Sequence, residues 1–276
     1  MLKRIALHVE KDQARYARYA AALALARRFQ AQVVGVYVSH AWMPDEAEHD
    51  IFPSAVYELM LEQQAQERRL CEAEFNRHAT QAEVDRQWRA ALGRPADALA
   101  LHARCTDLLV LSQADATTDS IVDPYSVETV IMTAGRPVLV VPYAAEYTSI
   151  GDRILVCWDG GREAARALAD AAPFLARARN IFALTLGSRS ANLQPGEMSE
   201  ALQAWLRPRG YAEPRLLARD TDGRGMGDAI LTAAADHGCD LIVMGLYGHN
   251  RAREWVLGGA SRDMLRNMTV PVLFSH

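Results

Sequence analysis

Lys3-Arg4-Ile5-Ala6-Leu7-His8-Val9-Glu10 and Asp152-Arg153-Ile154-Leu155-Val156-Cys157-Trp158-Asp159 are the stretches on which the fold turns. Each is a short apolar run closed by an acid. Each leads into an Ala/Arg-rich amphipathic stretch, Ala14 to Phe29 and Glu163 to Ala178. Further along, Asp107-Leu108-Leu109-Val110-Leu111 matches Asp240-Leu241-Ile242-Val243-Met244. Near each end, Arg136-Pro137-Val138-Leu139-Val140-Val141 matches Val270-Pro271-Val272-Leu273-Phe274-Ser275. Four landmarks thus occur twice in one order, the mark of a duplicated unit. For 276 residues, two copies of one domain explain the length better than a single large core. The copies are expected at 1–142 and 143–276, joined by the polar stretch Tyr143 to Gly151.

Within a copy, short apolar runs alternate with longer helical periodicities. In the second copy the pattern predicts strands at 153–158, 180–186, 214–219, 240–245 and 271–275. Helices are expected near 162–177, 197–207, 227–237 and 258–267. Continuous apolar strands are those covered on both faces, and strand–helix alternation implies a parallel sheet wrapped by helices. The expected class is therefore α/β, with two tandem Rossmann-like domains, each a five-stranded parallel sheet with helices on both faces. The first copy carries an insertion from Ser39 to Pro53, read as a surface loop rather than a binding lid.

Composition narrows the function. Thirty basic and 34 acidic residues give a net charge of −4, which lacks the basic footprint of a general nucleic-acid binder. Cys71, Cys105, Cys157 and Cys239 form no CxxC pair, which speaks against a zinc ribbon or disulfide framework and fits a reducing cytosol. The absence of a long apolar run predicts neither signal peptide nor membrane span, hence a cytoplasmic protein. Lys3 and Lys11 are the only lysines, and neither follows a glycine loop, so a P-loop is excluded. The eight histidines make no HxxxH or HxxEH spacing, so no metal site is expected. No GxSxG elbow is present, and the five tryptophans are dispersed and read as packing.

The richest local signal is Met244-Gly245-Leu246-Tyr247-Gly248-His249-Asn250, continuing to Leu257-Gly258-Gly259-Ala260-Ser261. A buried strand runs into Gly245, Gly248 follows, and Gly258 opens a helix. Glycines permit close backbone approach, and a helix start offers unpaired N–H groups and a positive dipole end. These parts can cradle phosphates without a lysine. In open α/β sheets, ligands sit beyond the strands' carboxyl ends where strand order reverses. If the first and fourth strands are neighbours, Asp159 and Gly245 face one crevice. The competing reading makes the glycines turn and cap devices and Asp159 an N-cap. Gly223, Gly225 and Gly227 are read as a flexible strand-to-helix turn.

With these residues in place, the chain resembles a tandem universal stress protein, on the adenine nucleotide alpha hydrolase-like fold. The resemblance rests on the strand-then-acid starts, on Gly245-x2-Gly248-x9-Gly258, and on the closing Val-Pro-Val strand. It implies an adenine nucleotide, ATP first, between the first and fourth strands of the second copy. Asp159 would contact the adenosine, and Cys157 would line the base pocket. Met244 and Gly245 would border the ribose and first phosphate. Gly248, His249, Gly258, Gly259, Ala260 and Ser261 would complete the phosphate site. Gly259 stands where the family pattern has Ser or Thr, and the hydroxyl comes two positions later at Ser261.

The first copy departs further. Leu111-Ser112-Gln113-Ala114 lacks the glycine, Asp123-Pro124 occupies the later glycine position, and Glu10 replaces the Asp. It is expected to be a degenerate, structural partner. It also carries the negative charge, with 15 basic against 19 acidic residues in 1–142. The resemblance further implies a stress-response sensor or regulator, at most a slow ATPase, acting on a protein partner that the sequence does not name. The alternatives are a nucleotide-free dimerisation or interaction scaffold and, lower, an adenylate-forming enzyme. The two closing strands imply an intrachain pseudo-dimer, and homodimers of whole chains stay open.

Overall fold

The computed structural model describes residues 1–39, 54–114, 120–143, 149–186, 195–219, 225–246 and 259–276. The first half runs β1 (Arg4–Val9), α1 (Arg15–Phe29), β2 (Gln32–Ser39), α2 (Ser54–Gln81), β3 (Arg86–Leu92), α3 (Pro95–Ala103), β4 (Leu108–Ser112), α4 (Pro124–Thr133) and β5 (Val138–Val141). The second runs β6 (Arg153–Cys157), α5 (Arg162–Asp170), α6 (Ala172–Leu175), β7 (Asn180–Leu186), α7 (Pro195–Leu206), β8 (Arg215–Arg219), α8 (Met226–Asp236), β9 (Leu241–Gly245), α9 (Gly259–Asn267) and β10 (Val272–Ser275). Most of the insertion, residues 40–53, lies outside the described residues, as does 144–148 of the linker.

All strands join one ten-stranded sheet in the order β3-β2-β1-β4-β5-β10-β9-β6-β7-β8. The second five repeat the order of the first in reverse. Neighbours within each half are parallel. The halves meet through β5 and β10, which pair antiparallel with Val272 opposite Val140, Leu273 opposite Leu139 and Phe274 opposite Val138. These apolar closing strands would be aggregation-prone as free edges. Paired together they are wholly buried. The true edges are β3 and β8, largely exposed and carrying Arg86, Arg89, Arg215 and Arg219. The expectation that every strand is covered on both faces therefore fails at these two. Edge strands pack on one side only, and charge on them discourages pairing with other chains.

Strand periodicity sorts side chains into two layers. Ile5, Leu7 and Val9 join one core with Tyr19, Phe75, Leu168 and Phe174. Ala6, Val34 and Val36 join the other with Leu99, Val130, Ile230 and Met264. Each core runs across both halves. The halves also meet at α1, whose Phe29 packs edge-on against Phe174 of the second half at 5.4 Å between ring centroids. Beside it the Arg28 guanidinium donates to the Ile150 carbonyl at 2.6 Å and pairs with Asp152 at 2.8 Å.

The expected helix over 162–177 is two helices, broken at Ala171. Pro173 lacks an N–H and its ring would strike the Ala169 carbonyl in a continuous helix. The chain restarts at α6 with Pro173 in its first turn.

The repeated aspartates are anchors. Asp107 accepts from the N–H groups of Lys3 and Arg4 at 2.7 and 2.9 Å. Asp240 accepts from those of Gly151, Asp152 and Arg153, and from the Ser149 hydroxyl at 2.6 Å. Each carboxylate ties the entry of the first strand of its half to the fourth. Charge-assisted bonds of this kind contribute about 1.5–3 kcal/mol each.

Candidate functional site

β6 and β9 are parallel neighbours, with Ile154 opposite Leu241, Leu155 opposite Ile242 and Val156 opposite Val243. Their carboxyl ends therefore open side by side. β6 is flanked on its other edge by β7, and β9 by β10. This is the reversal point where an open α/β sheet leaves a crevice.

Cys157 ends β6, and Met244 and Gly245 end β9. Burial, then the charge of Asp159, pushes the Cys157 thiol up to about 12. A thiol held this high stays neutral, which does not suit a nucleophile. Two residues past β6, the Asp159 Oδ1 accepts from the Gly161 N–H at 2.8 Å. Gly160 adopts φ +73°, the left-handed turn that lets the chain reverse so tightly. Gly161 then precedes α5, whose first turn starts beside the carboxyl ends of β6 and β9. The helix start at 162 falls where the sequence places it, with Gly161 and not Asp159 at the N-cap position, whereas the Asp159-Gly160-Gly161 turn and the place of the α5 start beside β9 are not read from the sequence. The adjacent glycines after a buried strand were the available signal.

Gly245 has a packing reason of its own. A Cβ there would lie 2.5 Å from the Glu163 carbonyl carbon and 2.7 Å from the Ala164 nitrogen. Only glycine lets α5 sit this close to the end of β9. The Glu163 carboxylate is met by the exposed Arg162 guanidinium at 2.9 Å. Further along the chain, α9 begins at Gly259 and Ala260 and carries Ser261, which is buried. Gly248, His249 and Gly258 lie outside the described residues. Gly225 precedes α8. A Cβ on Gly227 would lie 2.6 Å from the Asp263 Cβ, so this glycine serves α8–α9 packing.

The corresponding place in the first half is filled by its own side chains. β1 and β4 are parallel neighbours. The buried Arg18 guanidinium donates to the His8 carbonyl at 2.7 Å, the Ser112 hydroxyl at 2.5 Å and the Asp12 carboxylate at 2.5 Å. Glu10 accepts from the Ile121 N–H at 2.6 Å and from the Ser120 hydroxyl at 2.8 Å. Desolvation raises the Glu10 pKa. Burial and the Arg18 charge hold His8 well below 6.5. Glu10 thus reaches across its crevice, where the shorter Asp159 turns back on its own helix. Gln113, which follows β4, crosses to the second half. Its amide donates to the Leu265 and Arg266 carbonyls in the last turn of α9, at 3.1 and 2.8 Å.

A model of the universal stress protein family matches residues 151–276. This half of the chain belongs to that family. Over its whole length the chain shares its fold with solved universal stress proteins. One from Archaeoglobus fulgidus DSM 4304 is 15% identical, with a TM-score of 0.76 over 99% of this chain and 97% of that one. A Pseudomonas aeruginosa UCBPP-PA14 protein assigned to the same family is 14% identical, with a TM-score of 0.61 over 99% and 93%. A universal stress protein in complex with cAMP is 18% identical over 52% of this chain and 98% of its own, with a TM-score of 0.37. No curated protein matches the chain significantly. Among the described residues, no helix is long and apolar enough to cross a membrane, and no cluster of three His, Cys, Asp or Glu could hold a metal.

Proposed function

We propose that the universal stress protein domain at 143–276 binds an adenine nucleotide, ATP first, and acts as a cytoplasmic sensor or regulator. The observation that carries this reading is the β6–β9 pairing. It sets the carboxyl ends of β6 and β9 side by side, with Gly245 against the first turn of α5 and Asp159 two residues past β6, which supports a ligand crevice there that the start of α9 would complete. Two helix starts supply N–H donors for phosphate oxygens. The Asp159 carboxylate would accept from ribose hydroxyls, with Cys157 and Met244 as apolar walls. Gly248, His249, Gly258, Gly259, Ala260 and Ser261 complete the phosphate side. No acid pair for Mg²⁺ is placed beside this loop by the sequence, so any hydrolysis is slow. The domain at 1–142 is a degenerate copy whose crevice is closed by Glu10 and Arg18 and which serves as a structural partner.

Equilibrium dialysis with labelled ATP tests this. Binding in the micromolar range is expected, and an Asp159→Asn variant, which keeps an acceptor for the Gly161 N–H, should bind about tenfold more weakly. A folded protein that takes up no ATP at about 1 mM ends the proposal.

A second reading, a nucleotide-free scaffold, is favoured by the packing reason found for Gly245. Gly248→Leu separates the two. Under nucleotide binding it abolishes ATP uptake while thermal stability is kept. Under the scaffold reading the variant and the parent are alike in both.

A further inference from the structure

Gln113 and Leu246 hold equivalent places in the two copies. Each follows the fourth strand of its half, and each backbone N–H donates to the last carbonyl of the closing strand. Gln113 bonds Val141 at 2.7 Å, and Leu246 bonds Ser275 at 2.9 Å. Both side chains are buried. Their chemistry differs. The Gln113 amide reaches the other half and donates to the Leu265 and Arg266 carbonyls of α9 at 3.1 and 2.8 Å. Leucine has no donor, so this position of the second half cannot hold the end of α4 in return.

A buried amide costs free energy unless it is bonded. A leucine fills the equivalent place in the other copy, so packing alone does not call for glutamine here. What the amide adds is its grip on α9. That helix is nine residues long. Its last carbonyls are the negative end of its dipole, and two N–H donors suit them. On its own side α9 packs against α8, where Gly227 leaves room for Asp263. From the first half, Glu128 of α4 faces Arg262 and Arg266. The first half therefore restrains α9 at the end opposite the candidate phosphate site.

We propose that Gln113 is a positioning residue for the phosphate site of the second half. It fixes α9 along its axis and thereby places the backbone donors at the start of that helix. This rests on the nucleotide reading and adds that affinity for the phosphates is set in part by a side chain of the other half. Hydrogen bonds from N–H groups to phosphate oxygens hold over only about 2.7–3.2 Å. A shift of the whole helix by a fraction of that length is felt at its start. Adenosine, which has no phosphate and would meet Asp159 instead, is insensitive to it.

Equilibrium dialysis of the full chain with labelled ATP and, separately, labelled adenosine tests this. Gln113→Leu copies the residue of the other half. Gln113→Met has a similar length and no donor, and it serves if the branched side chain does not fit. Either variant, folded by circular dichroism, should raise the dissociation constant for ATP about tenfold and that for adenosine less than about twofold. A residue that only supports the fold would lower the thermal midpoint and leave the ratio of the two constants alone. Unchanged ATP binding in the variants overturns the proposal, and so does an equal loss of ATP and adenosine. A parent chain that takes up no ATP ends the nucleotide reading and this inference with it, whereas a parent that binds ATP beside indifferent variants ends this inference alone.

Discussion

At the scale of single residues, the crevice of the first half shows how side-chain length redirects an inherited position. Asp159 is short enough to bond the N–H two residues ahead. Glu10, one methylene longer, instead fastens the segment before α4. Around it, Arg18 and a neutral His8 form a buried polar network, and that network has a pH signature. His8 is held well below its usual 6.5. The unfolded chain therefore binds a proton below pH 6.5 that the folded chain refuses. Stability falls as pH drops from there, and recovers as pH rises. Comparing urea midpoints of the parent and His8→Gln between pH 7 and pH 5 isolates this contribution. The parent should lose up to about 1.4 kcal/mol more per pH unit than the variant. Parallel curves would show that His8 is not the titrating group.

At the scale of elements, the end of one helix is held by a side chain from the other half of the fold. The last carbonyls of any helix lack internal partners. Those of α9 are met by Gln113 from the other half. Near the same place Glu128 on α4 faces Arg262 and Arg266 of α9, though burial dominates and raises its pKa. The first half thus holds the far end of the helix whose start belongs to the candidate phosphate site. Gln113→Leu removes both bonds and leaves two carbonyls to water or to nothing. It should cost about 1–3 kcal/mol. Hydrogen exchange along α9 should speed up most, whereas α5 should keep its protection. Uniform loosening of both helices would mean that the bond pair has no local role.

At the scale of the molecule, the β5–β10 seam makes one sheet and two continuous cores from a duplicated unit. Neither closing strand is exposed, and both cores are shared by the halves. Leu139 and Leu273 meet at the centre of the seam and are fully buried. Leu139→Asp buries an unpaired charge there, with an expected loss above about 3 kcal/mol. Because the cores are continuous, both halves should be affected. Tryptophan fluorescence, with Trp88 in one half and Trp158 and Trp205 in the other, should still report a single urea transition, at lower midpoint. A second transition, with one half unchanged, would show that the halves fold independently.

Much of this was legible in the chain. Apolar runs of strand length, recurring acids and the alternation with helical periodicity are local, so they survive without tertiary information. They determined the α/β class, the duplication and the positions of the second-half strands. The break at Ala171 was also written in Pro173, but amphipathic periodicity ran through it and masked it. Other features depended on contact. Whether Asp159 and Gly245 share a crevice rested on β6 and β9 being neighbours, and strand order is a property of the whole sheet. That Gly245 is needed for the approach of α5, Gly227 for that of α9, and Gln113 for the end of a distant helix could come only from coordinates. Sequence records which groups are present and at what spacing along the chain. Tertiary structure decided which of them touch, because the contacts join residues up to more than 150 positions apart.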